Sequence, residues 1–155
     1  RVNCAYLRRP RAKIRFCEEV RMTDAQLPMI PETITVHLGA PNEAAQNVSV
    51  SFPDYIKNVA SSEVYPSWPE SALRANIYAQ ISYALNRVYT NYYRSQGYDF
   101  DITNSTAFDQ SFVNGRDYFE NIERIVSEIF NSYIVRQGNV EPLFAQYEGF
   151  LAKFK

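Results

Sequence analysis

"SEVYPSWPESALRAN", residues 62–76, frames a tryptophan with two prolines between two runs of helical spacing. Pro66 and Pro69 lack a backbone N–H and restrict the residues before them, so no single helix crosses the segment. Upstream, "FPDYIKNVASSEV" sets Tyr55, Ile56, Val59 and Ala60 at helical steps behind Pro53 and Asp54, a favourable first turn. The spacing predicts a short helix ending near Glu63. Downstream, Ser67 or Trp68 caps a long helix with Pro69 in its first turn and Glu70 where the helix dipole favours negative charge. Leu73, Ile77, Ile81, Ala84 and Val88 form its buried stripe, which predicts a helix to about Gln96, stopped by Gly97. Its alanine content and wide apolar face predict a central helix wrapped by the rest of the domain.

Outward from this pair the fold class reads as α+β. "ETITVHLG" (32–39) and "NVSVSF" (47–52) alternate with the period of half-buried strands and predict a hairpin, with His37 a strand residue. "GYDFDITNSTAFDQSFVNG" (97–115) reads as an ordered loop or short strands. A second amphipathic helix follows, with Phe119, Ile122, Val126, Ile129 and Phe130 on one side. "SYIVRQGNVEPLFAQY" (132–147) predicts a further hairpin turning at Gln137, Gly138 and Asn139. Residues 1–31 read as an irregular N-terminal segment, with Met22 a candidate start, and 32–155 as one domain.

Composition narrows the partners. A chain of 155 residues is about one domain, and 46% hydrophobic with 15% aromatic residues supplies a core. With 16 basic against 17 acidic residues it has no net pull towards nucleic acid or acidic membranes, so an uncharged polymer is the better-fitting partner. Cys4 and Cys17 read as two free thiols, with a pairing between them as the alternative. His37 is the single histidine, so this chain alone offers no zinc ligand set and no cofactor is expected. No apolar run is long enough to span a bilayer, and the basic first residues lack the apolar core of a secretory signal.

Taken alone, Glu63 is a weak signal, because glutamate is ordinarily a solvated surface residue. Burial beside Tyr65 and Trp68 would partly desolvate it. Trp68 and the tyrosine-rich "YTNYYRSQGYDF" (89–100) offer rings on which a sugar can stack, although aromatics at helical spacing more often pack. No phosphate-binding glycine-rich loop, GxSxG elbow or HExxH motif is present.

The stretch "YIKNVASSEVYPSWPESALRANIYAQISYAL" resembles the SpoIID/LytB family, whose approximate pattern Y-[LI]-x-G-V-[VL]-x-x-E-M-P-x-x-W-P-x-E-A-L-K-A-Q-A-x-A-A-R-[TS]-Y-A aligns without a gap from Tyr55 to Ala84. Val59, Glu63, Trp68, Pro69, Ala72, Leu73, Ala75, Ala79, Tyr83 and Ala84 are retained, and Gln110 and Gly115 match more loosely beyond it. The resemblance implies a bacterial, SpoIID-like cell-wall enzyme of sporulation, a peptidoglycan lytic transglycosylase acting on glycan strands outside the cytoplasmic membrane, with a cell-wall amidase as a possible companion. It places the catalytic acid on Glu63, with Trp68, Tyr83 and Gln110 shaping the substrate site. One carboxyl group suffices: it protonates the glycosidic oxygen, then takes the proton of the muramic acid 6-hydroxyl as that oxygen closes on C1. No water is activated, unlike the two-carboxylate hydrolases.

The chain departs from the pattern at Asn58, Ser71, Asn76 and Ile81, which stand where the family has Gly, Glu, Gln and Arg. The Cys and His that bind zinc in some members have no equivalents in "DITNSTAFDQ". The chain also ends "AQYEGFLAKFK", without the segment that the resemblance implies beyond the hairpin, so by that resemblance the domain is incomplete at its C-terminus. These departures keep a non-catalytic peptidoglycan-binding or scaffold module as the alternative reading.

Overall fold

The computed structural model describes residues 28–145 and contains three helices and a small three-stranded sheet. Strands β1 (Thr33–His37) and β2 (Asn47–Ser51) pair antiparallel, Val36 opposite Val48, as the alternating pattern predicts. A short β3 (Ile102–Thr103) adds to the other side of β1 in parallel, giving the order β2-β1-β3. Ile34, Val36 and Ile102 turn one face of the sheet into the core. His37 is a strand residue and ties down the β1–β2 connection. Its ring faces the Asn47 side-chain oxygen at 2.7 Å and the carbonyls of Ala40 and Glu43 at 3.1 Å each, and it stacks on Phe100.

Helix α1 (Phe52–Glu63) starts directly from β2. The Ser51 hydroxyl caps it by accepting from the Asp54 N–H at 3.2 Å, and also donates to the Asp54 carboxylate at 2.7 Å. The Asp54 carboxyl is held below its usual value, first by the Ser51 hydroxyl, against burial and with help from Lys57. After Glu63 the backbone turns extended at Val64, and the Pro66–Pro69 segment separates the helices as expected. Helix α2 (Glu70–Tyr89) has Pro69 itself as N-cap, with no side-chain cap from Ser67 or Trp68.

Two expectations about α2 divide. It is central: every residue from Gln80 to Ala84, and on to Arg87, is buried, so the helix is enclosed on all sides there. It is also shorter than predicted, ending at Tyr89 rather than near Gln96. The Thr90 hydroxyl turns back onto the Asn86 carbonyl at 2.7 Å, and Asn91 takes a left-handed conformation (φ 50°) that asparagine tolerates and a helix does not. A 3-10 turn at Arg94–Gln96 follows, and Gly97 closes that turn at φ 92°.

Helix α3 (Glu120–Ile129) buries Ile122, Ile125, Val126 and Ile129 against α1 and α2. Phe119 falls outside this face, because it is the extended N-cap residue and remains exposed. Among the described residues the predicted C-terminal hairpin is reduced to one bridge, Val135 with Pro142, around a turn in which the Asn139 N–H donates to the Arg136 carbonyl and Gly138 has φ 78°. Pro142 has no N–H, so the ladder does not propagate through it. Cys4, Cys17 and Met22 lie outside the described residues.

Candidate functional site

Glu63 is the last residue of α1, so its carboxylate emerges where the helix stops and the proline-framed segment begins. It is half-buried. The negative end of the helix dipole disfavours charge there, and two N–H groups offset it. Gln80, from the enclosed middle of α2, donates its side-chain amide to Glu63 Oε2 at 2.9 Å, and the Ser111 backbone N–H donates to Oε1 at 2.8 Å. Two donors from different elements fix the direction of the carboxyl plane.

The 110–113 segment is fastened to α1 along its length. Gln110 is fully buried, accepting from the Tyr55 hydroxyl at 3.1 Å and donating to the Gln80 carbonyl at 3.2 Å. Phe112 stacks on Tyr55 with ring centroids 5.5 Å apart. Asn58 then imitates a strand partner: its amide nitrogen donates to the Val113 carbonyl and its oxygen accepts from the Val113 N–H, both at 2.8 Å. A glycine at position 58, as in the family pattern, makes neither bond.

Trp68 is half-buried against the core and lies 6.0 Å from the Tyr65 ring, tilted by 58°. Tyr65 is 54% exposed.

Tyr83, one turn beyond Gln80, enters a separate network. Its hydroxyl donates to the Phe108 carbonyl at 3.0 Å, accepts from Arg87 at 3.1 Å and lies 3.1 Å from Asp109 Oδ1. The Asp109 side chain is completely buried and takes Arg87 Nε at 2.8 Å, the Tyr93 hydroxyl at 2.6 Å and both the N–H and hydroxyl of Thr103. Burial works to lower the Arg87 pKa, but Asp109, Tyr83 and Tyr93 together outweigh it and hold the guanidinium more firmly protonated than usual. Burial, reinforced by Asp109, pushes the Tyr83 and Tyr93 phenols upward, so both stay protonated. This network joins α2, β3 and the loop before Gln110, and it sets where Gln110 and Ser111 meet α1.

Gln80, Ser111, Arg87 and Asp109 escaped sequence reasoning, and Asn58 was marked only as a departure from the family pattern, without its bonds to Val113. The polar residues of α2 are buried by enclosure from several sides, so hydrophobic periodicity carries no sign of them. Ile81, where the family pattern has Arg, is fully buried in the apolar core and supplies no charge. Among the described residues no group of three His, Cys, Asp or Glu side chains comes together as a metal site, and no helix is long and apolar enough to cross a membrane.

The family model described as SpoIID, Stage II sporulation protein, matches residues 42–134, more than half of the chain. The matched span includes Glu63 and all three elements that position it. No curated protein and no solved structure matches the chain.

Proposed function

The chain belongs to the SpoIID family, and on that premise we propose that it cleaves peptidoglycan glycan strands by lytic transglycosylation, with Glu63 as general acid and then base. The observation that carries this reading is the held carboxyl of Glu63, oriented by the Gln80 amide and the Ser111 N–H at the mouth of the Pro66–Pro69 turn. Glu63 gives its proton to the oxygen between N-acetylmuramic acid and N-acetylglucosamine. The C1–O bond breaks with its electron pair going to that oxygen. The muramic acid 6-hydroxyl oxygen bonds to C1, and its proton returns to the Glu63 carboxylate. The product is a 1,6-anhydro sugar, no water is consumed, and the enzyme ends in its starting state.

Tyr65 and Trp68, in the segment that follows Glu63, offer an aromatic pair on which sugar rings stack. Tyr83 and Gln110 act from beneath, holding the 108–113 segment in register. The substrate puts the reaction outside the cytoplasmic membrane, and a cell-wall amidase that strips stem peptides is the natural companion activity.

A second reading, a glycan-binding or scaffold module without turnover, is favoured by Ile81 in place of the family's Arg and by the way Glu63 latches Ser111. Incubating peptide-stripped peptidoglycan with the chain and with Glu63→Gln, then identifying soluble products by mass spectrometry, separates the two. Anhydro-muramic ends from the unmutated protein alone support the enzyme. Sedimentation with the glycan and no new ends from either protein supports the module.

A further inference from the structure

Gln80 carries an anomaly beside Glu63. Its side chain is fully buried, its nitrogen donates to Glu63 Oε2 at 2.9 Å, and its Oε1 is buried with no hydrogen-bond partner. An orphaned buried amide oxygen loses its hydration without replacement and calls for a physical reason. The sequence does not force an amide on this position. The family pattern aligned above has alanine there, so the chain has placed a polar group in the core next to the one residue on which the proposed chemistry turns.

We propose that Gln80 is a positioning residue that serves both protonation states of Glu63 by rotating its amide, an inference resting on the acid–base role proposed for Glu63. The Ser111 N–H can only donate, and it bonds best to the unprotonated, carbonyl-type oxygen of a carboxyl group, which favours Oε1 in that role. A proton on the carboxyl therefore sits on Oε2, pointing at Gln80. An NH2 group facing an O–H group presents two donors to each other. A half-turn of the amide removes the conflict by bringing Gln80 Oε1 round to accept from the Glu63 O–H. The nitrogen then occupies the place where the oxygen lay without a partner.

Each orientation leaves one amide atom unpaired and makes one bond to Glu63, so the two are close in energy. A group with a firm partner on both its atoms would be locked in one orientation and would oppose one half of the acid–base cycle. The unpartnered oxygen is what leaves the rotation free. Gln110 illustrates the contrast, since its amide is bonded at both ends, to Tyr55 and to the Gln80 carbonyl.

The test is the side-chain NH2 resonance pair of Gln80 in 15N-labelled protein, followed across the acid pH range. The expected result is a shift with one midpoint, shared with the Glu63 carboxyl carbon, that vanishes in Glu63→Gln. An invariant Gln80 pair, or one that still titrates in folded Glu63→Gln, overturns the inference whatever the activity. In the glycan assay, Gln80→Met, which keeps the volume and removes the amide, lowers kcat on the order of 10- to 100-fold with KM nearly unchanged, and displaces the pH profile. Full activity with an unmoved pH profile in Gln80→Met, beside an inactive Glu63→Gln, sinks the role of Gln80 alone. Full activity in Glu63→Gln sinks the proposed chemistry itself.

Discussion

At the scale of single residues, what positions Glu63 is a set of buried polar groups that no pattern announces. The place of Glu63 at the end of α1 was legible in the sequence, because the prolines fix where the helix stops. Gln80 and Asp109 were not, since a buried polar side chain looks like a solvated one until the elements that enclose it are known. Asp109 shows the energetic consequence. Its side chain has no exposure and takes donors from Arg87, Tyr93 and Thr103, so removing its charge strands a guanidinium in the interior. Breaking such a pair costs about 3–5 kcal/mol. Asp109→Ala is therefore expected to lose stability on that scale in urea unfolding, and a loss below about 1 kcal/mol, the worth of a surface pair, would show the network to be wet. Charge also sets a pH response. The folded Asp54 pKa is depressed, so its contribution to stability is present above the unfolded carboxylate value and is lost as pH falls through the lower folded one. Unfolding curves of the chain and of Asp54→Asn are expected to converge in that acid window and to separate above it.

At the scale of elements, α1 and the 110–113 segment behave as one unit. Both helices that meet at Glu63 were readable from spacing and proline placement, and α3 from its apolar stripe. The end of α2 was not, because "YTNYYRSQG" keeps a helix-compatible composition up to Gly97 while the Thr90 hydroxyl and the left-handed Asn91 end the helix earlier. The parallel pairing of β3 was equally hidden, since two residues carry no alternation. Asn58 is the element-level test. Asn58→Gly restores the family residue, yet it removes both bonds to Val113 and places glycine inside a helix. Two hydrogen bonds at about 1 kcal/mol each and about 1 kcal/mol for the glycine predict a loss near 3 kcal/mol by chemical denaturation. Faster amide hydrogen exchange at Ser111 and Val113 is expected with it. Unchanged exchange at those two amides would mean that Phe112 packing, not Asn58, holds the segment.

At the scale of the whole molecule, three elements converge on one carboxyl group: the end of α1, the enclosed middle of α2 and the segment carrying Gln110 and Ser111. The sheet and α3 pack against α1, and the Asp109 network holds the incoming loop against α2 and β3. Buried amides hold the direction of that glutamate, which the proposed chemistry uses twice. The central claim is that Glu63 alone carries both proton transfers and that the attacking oxygen belongs to the sugar. The most direct measurement is digestion of peptide-stripped peptidoglycan in H218O, followed by mass spectrometry of the new chain ends. The account predicts 1,6-anhydro-muramic ends without 18O, formed by the chain and not by Glu63→Gln. Reducing ends carrying 18O, or anhydro ends formed equally by Glu63→Gln, would contradict it.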